Sequence, residues 1–123
     1  MKASVIVVVH AGAHHLEDSL GSLGSYAERS DVEVVLVDNA SSDRSGDAAI
    51  ARWPWVKVVR SETNLGFAGG VHLGAEAASG DVLVLLNDDA AAEAGFVEAH
   101  LEVLASNPGA AASAGRLVSW DGT

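Results

Sequence analysis

The chain has 123 residues, a length that suits one domain with a single sizeable core, and we expect residues 1–123 to form that domain. Its 17 acidic and 7 basic residues give a formal net charge of −10, which argues against nucleic acid or an anionic membrane as an electrostatic partner. The chain has no cysteine, which excludes disulfides and thiolate chemistry. No apolar run has the length of a transmembrane segment or of a signal peptide, so we expect a cytoplasmic protein.

The first half of the chain alternates strand patterns with helix patterns. Three apolar, largely β-branched runs predict buried strands: Ala3–Val9, Glu33–Val37 and Trp55–Arg60. Leucines at helical spacing predict a helix from His15 that buries one face. A cap at Ser41 or Ser42 predicts a second helix that ends near Arg52.

The second half continues the alternation. Turn-forming residues predict a loop over Ser61–Gly70. The continuous apolar run Val82–Leu86 is typical of a strand buried on both faces of a parallel sheet. Two helices and a last strand complete the prediction, over Val71–Ala78, Gly95–Ser106 and Ala110–Trp120. Strands that alternate with helices predict an α/β fold, a doubly wound and mostly parallel sheet with helices on both faces.

Polar side chains follow two of these strands at the point where each strand ends. Asn87, Asp88 and Asp89 come directly after the run that ends at Leu86, and Asp38 follows the second strand. If the first strand is central, the second and fourth strands flank it, and these groups meet at one edge of the sheet. Adjacent carboxylates there favour a divalent metal that holds a phosphate. The alternative for the acidic triplet alone is an ordinary turn and helix start.

Four segments taken together resemble the family 2 glycosyltransferases of the GT-A fold. They are Ser4–Val9, Val35–Asp43 (VLVDNASSD), Asn64–Gly70 (NLGFAGG) and Leu85–Asp89 (LLNDD). The resemblance extends from Ala3 to about Val118 and is to the nucleotide-sugar-binding portion, the Rossmann-like half of the fold. It implies transfer of a sugar from a UDP- or dTDP-linked nucleotide-diphosphate sugar to the hydroxyl of an unknown acceptor, with Mg²⁺ or Mn²⁺ as cofactor.

The resemblance also implies roles for individual residues. In the family, the loop after the first strand and the aspartate of the second strand contact the base of the nucleotide. The NLGFAGG loop closes over the nucleotide sugar, and a DXD-like motif holds the metal and the diphosphate. The nucleotide-binding residues by position are Val9, His10, Ala11, Asp38, Asn64, Gly66, Gly70, Asn87 and Asp88, and the metal ligand is Asp89.

Two departures from the family pattern bear on activity. Val9-His10-Ala11 stands where members usually carry Thr or Pro, an aromatic residue and Asn. No residue matches the catalytic base, so we assign none and expect the chain to be truncated before the acceptor-binding part. The edge that a missing half would leave makes a homodimer plausible. The leading alternative is therefore a non-catalytic truncated domain that binds a nucleotide or a partner.

Two other α/β functions are disfavoured by the residues themselves. A phosphoacceptor receiver module would carry acids after the first strand and a lysine after the last, but no lysine follows Lys57. A dinucleotide-binding domain would carry a G-x-G-x-x-G turn after the first strand, where Gly12 stands alone.

Overall fold

The computed structural model describes residues 1–119, and the chain divides into two compact units, the first over Met1–Glu93 and the second from Ala94. The first unit contains four strands: β1 (Ala3–Val9), β2 (Val32–Asn39), β3 (Lys57–Ser61) and β4 (Val82–Leu85). Its helices are α1 (Leu16–Ser19), α2 (Ser45–Arg52) and α3 (Gly66–Ala77), with 3₁₀ segments over Ala13–His15 and Gly21–Tyr26. The second unit contains α4 (Phe96–Ser106).

The four strands form one parallel sheet in the order β3-β2-β1-β4. β1 is central, with Val9 opposite Asp38 of β2 and Ile6 opposite Leu85 of β4. Alternate residues on β1 point to opposite faces, yet Val5 and Ile6 are both fully buried, so both faces of the central strand are covered. The predicted α/β parallel sheet, with the second and fourth strands on either side of the first, is confirmed.

Helix α3 packs closely on one face of the sheet because it carries glycine at the contact. A Cβ at Gly74 would lie 2.7 Å from Ile6 Cγ2 and 3.0 Å from Val37 Cγ2. Ile6 and Val37 belong to a buried cluster against which Leu73 and Val8 also pack. This close approach fixes the height of α3 above the sheet and with it the position of the turn at the start of α3.

Several predictions about individual elements were wrong. The predicted loop Ser61–Gly70 is helical from Gly66 onward, because the residues after the turn join the α3 face that packs on the sheet. Leu83 and Leu85 are about half exposed, so β4 is buried on one face only. Residues 110–119 of the predicted last strand pair with no other strand, and a single extended segment is not stable as a strand on its own. Trp120 lies outside the described residues.

The predicted helix from His15 is correct in its buried face but irregular in form. Leu16, Leu20 and Leu23 are buried as expected, while only α1 within that stretch is α-helical. Across the described residues, no helix combines the length and apolar character needed to cross a membrane.

At the amino edge of the sheet, Glu33 joins three segments. Its carboxylate accepts hydrogen bonds from the hydroxyls of Ser4 and Ser79 and from the Ser79 N–H, and Gly80 N–H donates to Ser4 Oγ at 2.8 Å. Burial acts to raise the pKa of Glu33, but these hydrogen bonds together outweigh burial and lower the pKa below its ordinary value of 4.5. The ionised form therefore ties the starts of β1 and β2 to the connection between α3 and β4.

Gly74→Ala should lower the free energy of unfolding by about 1–3 kcal/mol, because the new methyl group overlaps Ile6 and Val37. The matched control is Gly24→Ala, where a methyl group meets no described atom within 4 Å and should be neutral or slightly stabilising. Urea denaturation followed by circular dichroism measures both variants. Equal stability of the two would contradict close helix–sheet packing at Gly74.

Glu33→Gln should lower the free energy of unfolding by about 1–2 kcal/mol at pH 7, because the charge-assisted hydrogen bonds from Ser4 and Ser79 are weakened. A lowered folded-state pKa contributes stability above pH 4.5 that is lost as the pH falls through the folded value. The difference between wild type and Glu33→Gln should therefore shrink at acid pH in thermal unfolding. Glu28→Gln, at an exposed position, serves as the control. A difference that is constant with pH would show that the charge of Glu33 contributes nothing.

Candidate functional site

The chain continues from the carboxyl end of each of the four parallel strands in the first unit, and three of these four continuations supply the polar and acidic groups of the candidate site. The connection after β1 begins at His10, the connection after β2 begins at Ala40, and the residues after β4 begin at Leu86. Because β1 lies between β2 and β4, the connection after β1 has the other two as its neighbours.

Asp38 lies at the end of β2 and organises the connection that follows it. Its side chain is buried, with 6% of its surface exposed. Oδ1 accepts a hydrogen bond from Ser41 N–H, and Oδ2 accepts one from Gly46 N–H in the first turn of α2, each at 3.0 Å. Each carboxylate oxygen therefore accepts one backbone N–H and keeps a further lone pair for a ligand.

An open cleft of about 370 Å³ adjoins Asp38 on the side of β3. It is lined by Asp38, Ala40, Ser41, Arg60, Ser61 and Glu62. The guanidinium of Arg60 pairs with the carboxylate of Asp47, and this bond, assisted by the charge of Asp38, raises the pKa of Arg60. The cleft thus combines hydroxyl, carboxylate and guanidinium groups, which suit a polar ligand.

The connection after β1 is tied to the connection after β2 by two hydrogen bonds. Ala11 N–H donates to Ser41 Oγ and Ala13 N–H donates to Asp43 Oδ2, each at 3.0 Å. The hydroxyl of Ser45 and the N–H of Ala13 lower the pKa of Asp43, so this carboxylate stays ionised and holds both connections. His10 is exposed, and its Nδ1 lies 2.6 Å from the carbonyl oxygen of Asn39. A carbonyl only accepts, so Nδ1 carries the proton and Nε2 is an acceptor in the neutral ring.

On its other side, the connection after β1 meets the acidic residues that follow β4. A Cβ at Gly12 would overlap Asp88 Oδ2, so only a glycine allows the Asp88 carboxylate to keep its position. Burial, together with the charge of Asp89, raises the pKa of Asp88, while His15 acts in the opposite direction. Asn87 and Asp89 are exposed. The residues from Val9 to Gly12 therefore link the Asp38 side of the edge to the Asp88 side.

The acidic pair fits a divalent cation in its donor chemistry. No three histidine, aspartate or glutamate side chains within residues 1–119 are grouped to hold a metal. Mg²⁺ commonly takes only one or two carboxylates and completes its shell with water and ligand phosphates. The raised pKa of Asp88 reflects burial and a like charge beside it, and a cation would relieve that repulsion. Asp89, which is exposed beside Asp88, would hold such an ion.

The predicted residues of the NLGFAGG segment occupy the turn into α3 and its first turns. Asn64 Oδ1 accepts the N–H of Gly66 at 3.0 Å, and Gly66 has a φ of +73°, a conformation that favours glycine. Gly70 lies inside α3, where a Cβ would be 2.7 Å from Val8 Cγ1, so packing against the sheet favours a glycine there.

Comparison with known proteins decides the family. The Glycosyl transferase family 2 profile matches residues 4–123. The chain belongs to glycosyl transferase family 2. An N-acetylglucosaminyl-diphospho-decaprenol L-rhamnosyltransferase of Mycobacterium tuberculosis is 38% identical over 68 residues, which are 55% of this chain and 22% of that protein.

Two solved structures are similar to this chain. S. aureus TarS 1–349 in complex with UDP-GlcNAc matches with a TM-score of 0.73 at 23% identity, over 88% of this chain and 32% of that one, which shows the GT-A fold. The mannosyltransferase PcManGT from Pyrobaculum calidifontis, in complex with GDP-Man and Mn²⁺, matches with a TM-score of 0.66 at 28% identity, over 76% and 29% of the two chains. The family 2 chain thus spans between about a fifth and a third of the length of these relatives.

Sequence reasoning missed several residues that build the site. Asn39, Ser41 and Asp43 bind neighbouring connections through their side chains, and Gly12 makes room for Asp88. The available signal was position, because each of these residues follows a buried strand at the same edge of the sheet.

Gly12→Ala should displace the Asp88 carboxylate towards solvent and return its pKa towards the ordinary value, because the new methyl group takes the space of Oδ2. Carboxyl ¹³C NMR of Asp88 across a pH titration measures the shift. The domain should remain folded, since the overlap falls on the end of a movable side chain. Gly21→Ala, whose methyl group would lie 3.9 Å from Glu17, is the control and should leave Asp88 unchanged. A pKa of Asp88 that is equally raised in both variants would contradict the contact with Gly12.

Proposed function

We propose that this chain is the donor-binding part of a metal-dependent glycosyltransferase. It binds a UDP- or dTDP-linked sugar through Mg²⁺ or Mn²⁺ for transfer of the sugar to an acceptor hydroxyl. The observation that carries the proposal is the arrangement of the carboxyl edge, where one short connection contacts the Asp38 side through Ala11 and the Asp88 side through Gly12. A nucleoside diphosphate has a base and a charged diphosphate that require two such separate places.

The chemistry of sugar transfer accounts for the acidic side of the edge. The bond from the sugar to the diphosphate breaks with negative charge growing on the leaving phosphate. A divalent cation supplies Lewis-acid stabilisation of that charge when it is bound. Asp89, which is exposed, would hold the ion, and Asn87 and the half-buried Asp88 would bind the nucleotide beside it.

The base would lie on the other side of the connection after β1. His10 is exposed there with its ring oriented by the Asn39 carbonyl, and Val9 and Ala11 flank it. Asp38 and the cleft beside it offer acceptors and donors for the edge of a base. Asn64, Gly66 and Gly70 would border the nucleotide sugar from the start of α3.

The relatives support a nucleotide-sugar donor and a metal. The Pyrobaculum mannosyltransferase was solved with GDP-Man and Mn²⁺, and the mycobacterial relative is named as an L-rhamnosyltransferase. Since one of these relatives carries a guanine nucleotide, the choice of uracil or thymine for this chain is part of the proposal and must be tested against guanine. We assign no general base, so transfer by this chain alone is not part of the proposal.

Asp89→Ala should abolish the metal-dependent part of nucleotide binding, a loss of more than about tenfold in affinity, because a carboxylate ligand is removed. Isothermal titration of UDP, dTDP and GDP with Mn²⁺, and again with EDTA, measures this in wild type and variant. Asp18→Ala, an exposed substitution in α1, is the control. Circular dichroism should show the same fold in all three proteins.

Each outcome of this titration has a definite meaning. Binding of UDP or dTDP that disappears with EDTA and in Asp89→Ala supports the proposal. Preference for GDP would refute the assigned base class while leaving the metal site. Affinity that is unchanged in Asp89→Ala would remove the metal assignment.

A further inference from the structure

Asn39 ends β2 at the carboxyl edge with a buried side chain, which is 2% exposed. A buried amide needs partners for both its oxygen and its nitrogen. Asn39 Oδ1 accepts the N–H of Leu65 at 2.9 Å, and Nδ2 donates to the carbonyl oxygen of Gly66 at 2.9 Å. These two hydrogen bonds, which we name the amide clamp, hold the turn that precedes α3.

The hydrogen-bond partners of Asn39 are not the ones that a buried asparagine usually finds in its own turn. Leu65 is the last residue of the connection after β3 and Gly66 is the first residue of α3, 26 and 27 residues further along the chain. This turn is otherwise open to solvent, since Leu65 and, in the first turn of α3, Phe67 are 45% and 57% exposed. An asparagine at a strand end commonly bonds its own turn. Here it bonds a different connection, so its side chain fixes the distance between two connections of the edge.

The main chain of Asn39 reaches a third connection. Its carbonyl oxygen accepts the Nδ1–H of His10 in the connection after β1. The clamp also depends on close packing behind it, because a Cβ at Gly70 would lie 3.3 Å from Asn39 Nδ2. One residue thus contacts the proposed base side through His10 and the proposed nucleotide-sugar side through Leu65 and Gly66.

We propose that Asn39 is a positioning residue that holds the Asn64–Gly66 turn in place for the nucleotide sugar. This inference rests on the proposed function of the site. The turn is held before the ligand arrives, so binding does not have to order it. Loss of the clamp leaves the strand pairing of β2 intact and frees the turn, so affinity falls without loss of the fold.

The chemistry of the amide gives a sharp substitution. Asn39→Asp keeps the shape and the acceptor for Leu65 but replaces the donor to Gly66 with an oxygen that faces a carbonyl oxygen. Asn39→Ala removes both bonds and lets water reach the freed groups, so it is the second variant if Asn39→Asp does not fold. Asn107→Asp is the matched control, since the side chain of Asn107 donates to the Val103 carbonyl near the end of α4.

Two measurements test the proposal. Amide hydrogen exchange without ligand should show the Leu65 N–H exchanging at least about tenfold faster in the Asn39 variants than in wild type or Asn107→Asp. Calorimetric titration with UDP and with dTDP in Mn²⁺ should show at least about tenfold weaker binding of the nucleotide that wild type prefers, with a more unfavourable entropy because the turn must be ordered. A residue that acts only on global stability would lower the unfolding temperature and leave the entropy of binding unchanged.

The outcomes separate this inference from the function on which it rests. Slow exchange of Leu65 in all variants would overturn the clamp. Fast exchange with unchanged nucleotide affinity would show that the turn is held for another purpose and would overturn the positioning role. Absence of nucleotide binding by wild type would refute the proposed function and with it the positioning role for the nucleotide, while the exchange measurement would still decide whether the clamp holds the turn.

Discussion

The parallel pairing of β1 with β2 on one side and β4 on the other is the constraint on which the candidate site depends. It places Val9 opposite Asp38 and starts the connection after β1 between the ends of both neighbours. Parallel strands share one carboxyl edge, so polar residues that are far apart in the chain come together there without any further element. The hydrophobic effect supplies the driving force, since the central strand is buried on both faces.

Backbone strain is concentrated at the same edge. Among residues 1–119, three residues other than glycine have a positive φ, and they are Ala11, Ala40 and Arg44. All three lie in the connections after β1 and β2, where an L-residue pays about 1 kcal/mol or more for this conformation. The side chains of Asp38, Ser41 and Asp43 accept hydrogen bonds from backbone N–H groups of these connections, and these bonds oppose that cost by holding the turns. Strain that is held in place by side-chain contacts is typical of sites whose loops must keep one shape for a ligand.

The sequence predicted the sheet well because its strands are marked by long apolar runs that end in polar residues. β1 was correct to the residue, and the flanking positions of β2 and β4 followed from its centrality. The exposed face of β4 could not be predicted, because Leu83 and Leu85 look the same in a sequence whether a layer covers them or not. The start of α3 was missed because the glycines of NLGFAGG look like turn formers, while the small size of Gly70, like that of Gly74 further along α3, serves packing on the sheet. Which polar groups meet also escaped prediction, since the bond from Asn39 to Gly66 depends on the height of a helix above a sheet.

The connection after β1 couples the two sides of the proposed donor site. Ala11 is fixed to Ser41, which is bound to Asp38, and Gly12 abuts Asp88 one residue later. A shift of this connection would therefore move the proposed base side and, at the same time, change the space that is left for the Asp88 carboxylate beside Gly12. Because burial and the charge of Asp89 raise the pKa of Asp88, a cation bound at the proposed metal side would relieve that unfavourable charge, and its binding free energy would depend on the position of Gly12. Any such coupling is reciprocal. If a nucleotide that orders the connection raised the affinity for the metal, the metal would raise the affinity for the nucleotide by the same factor.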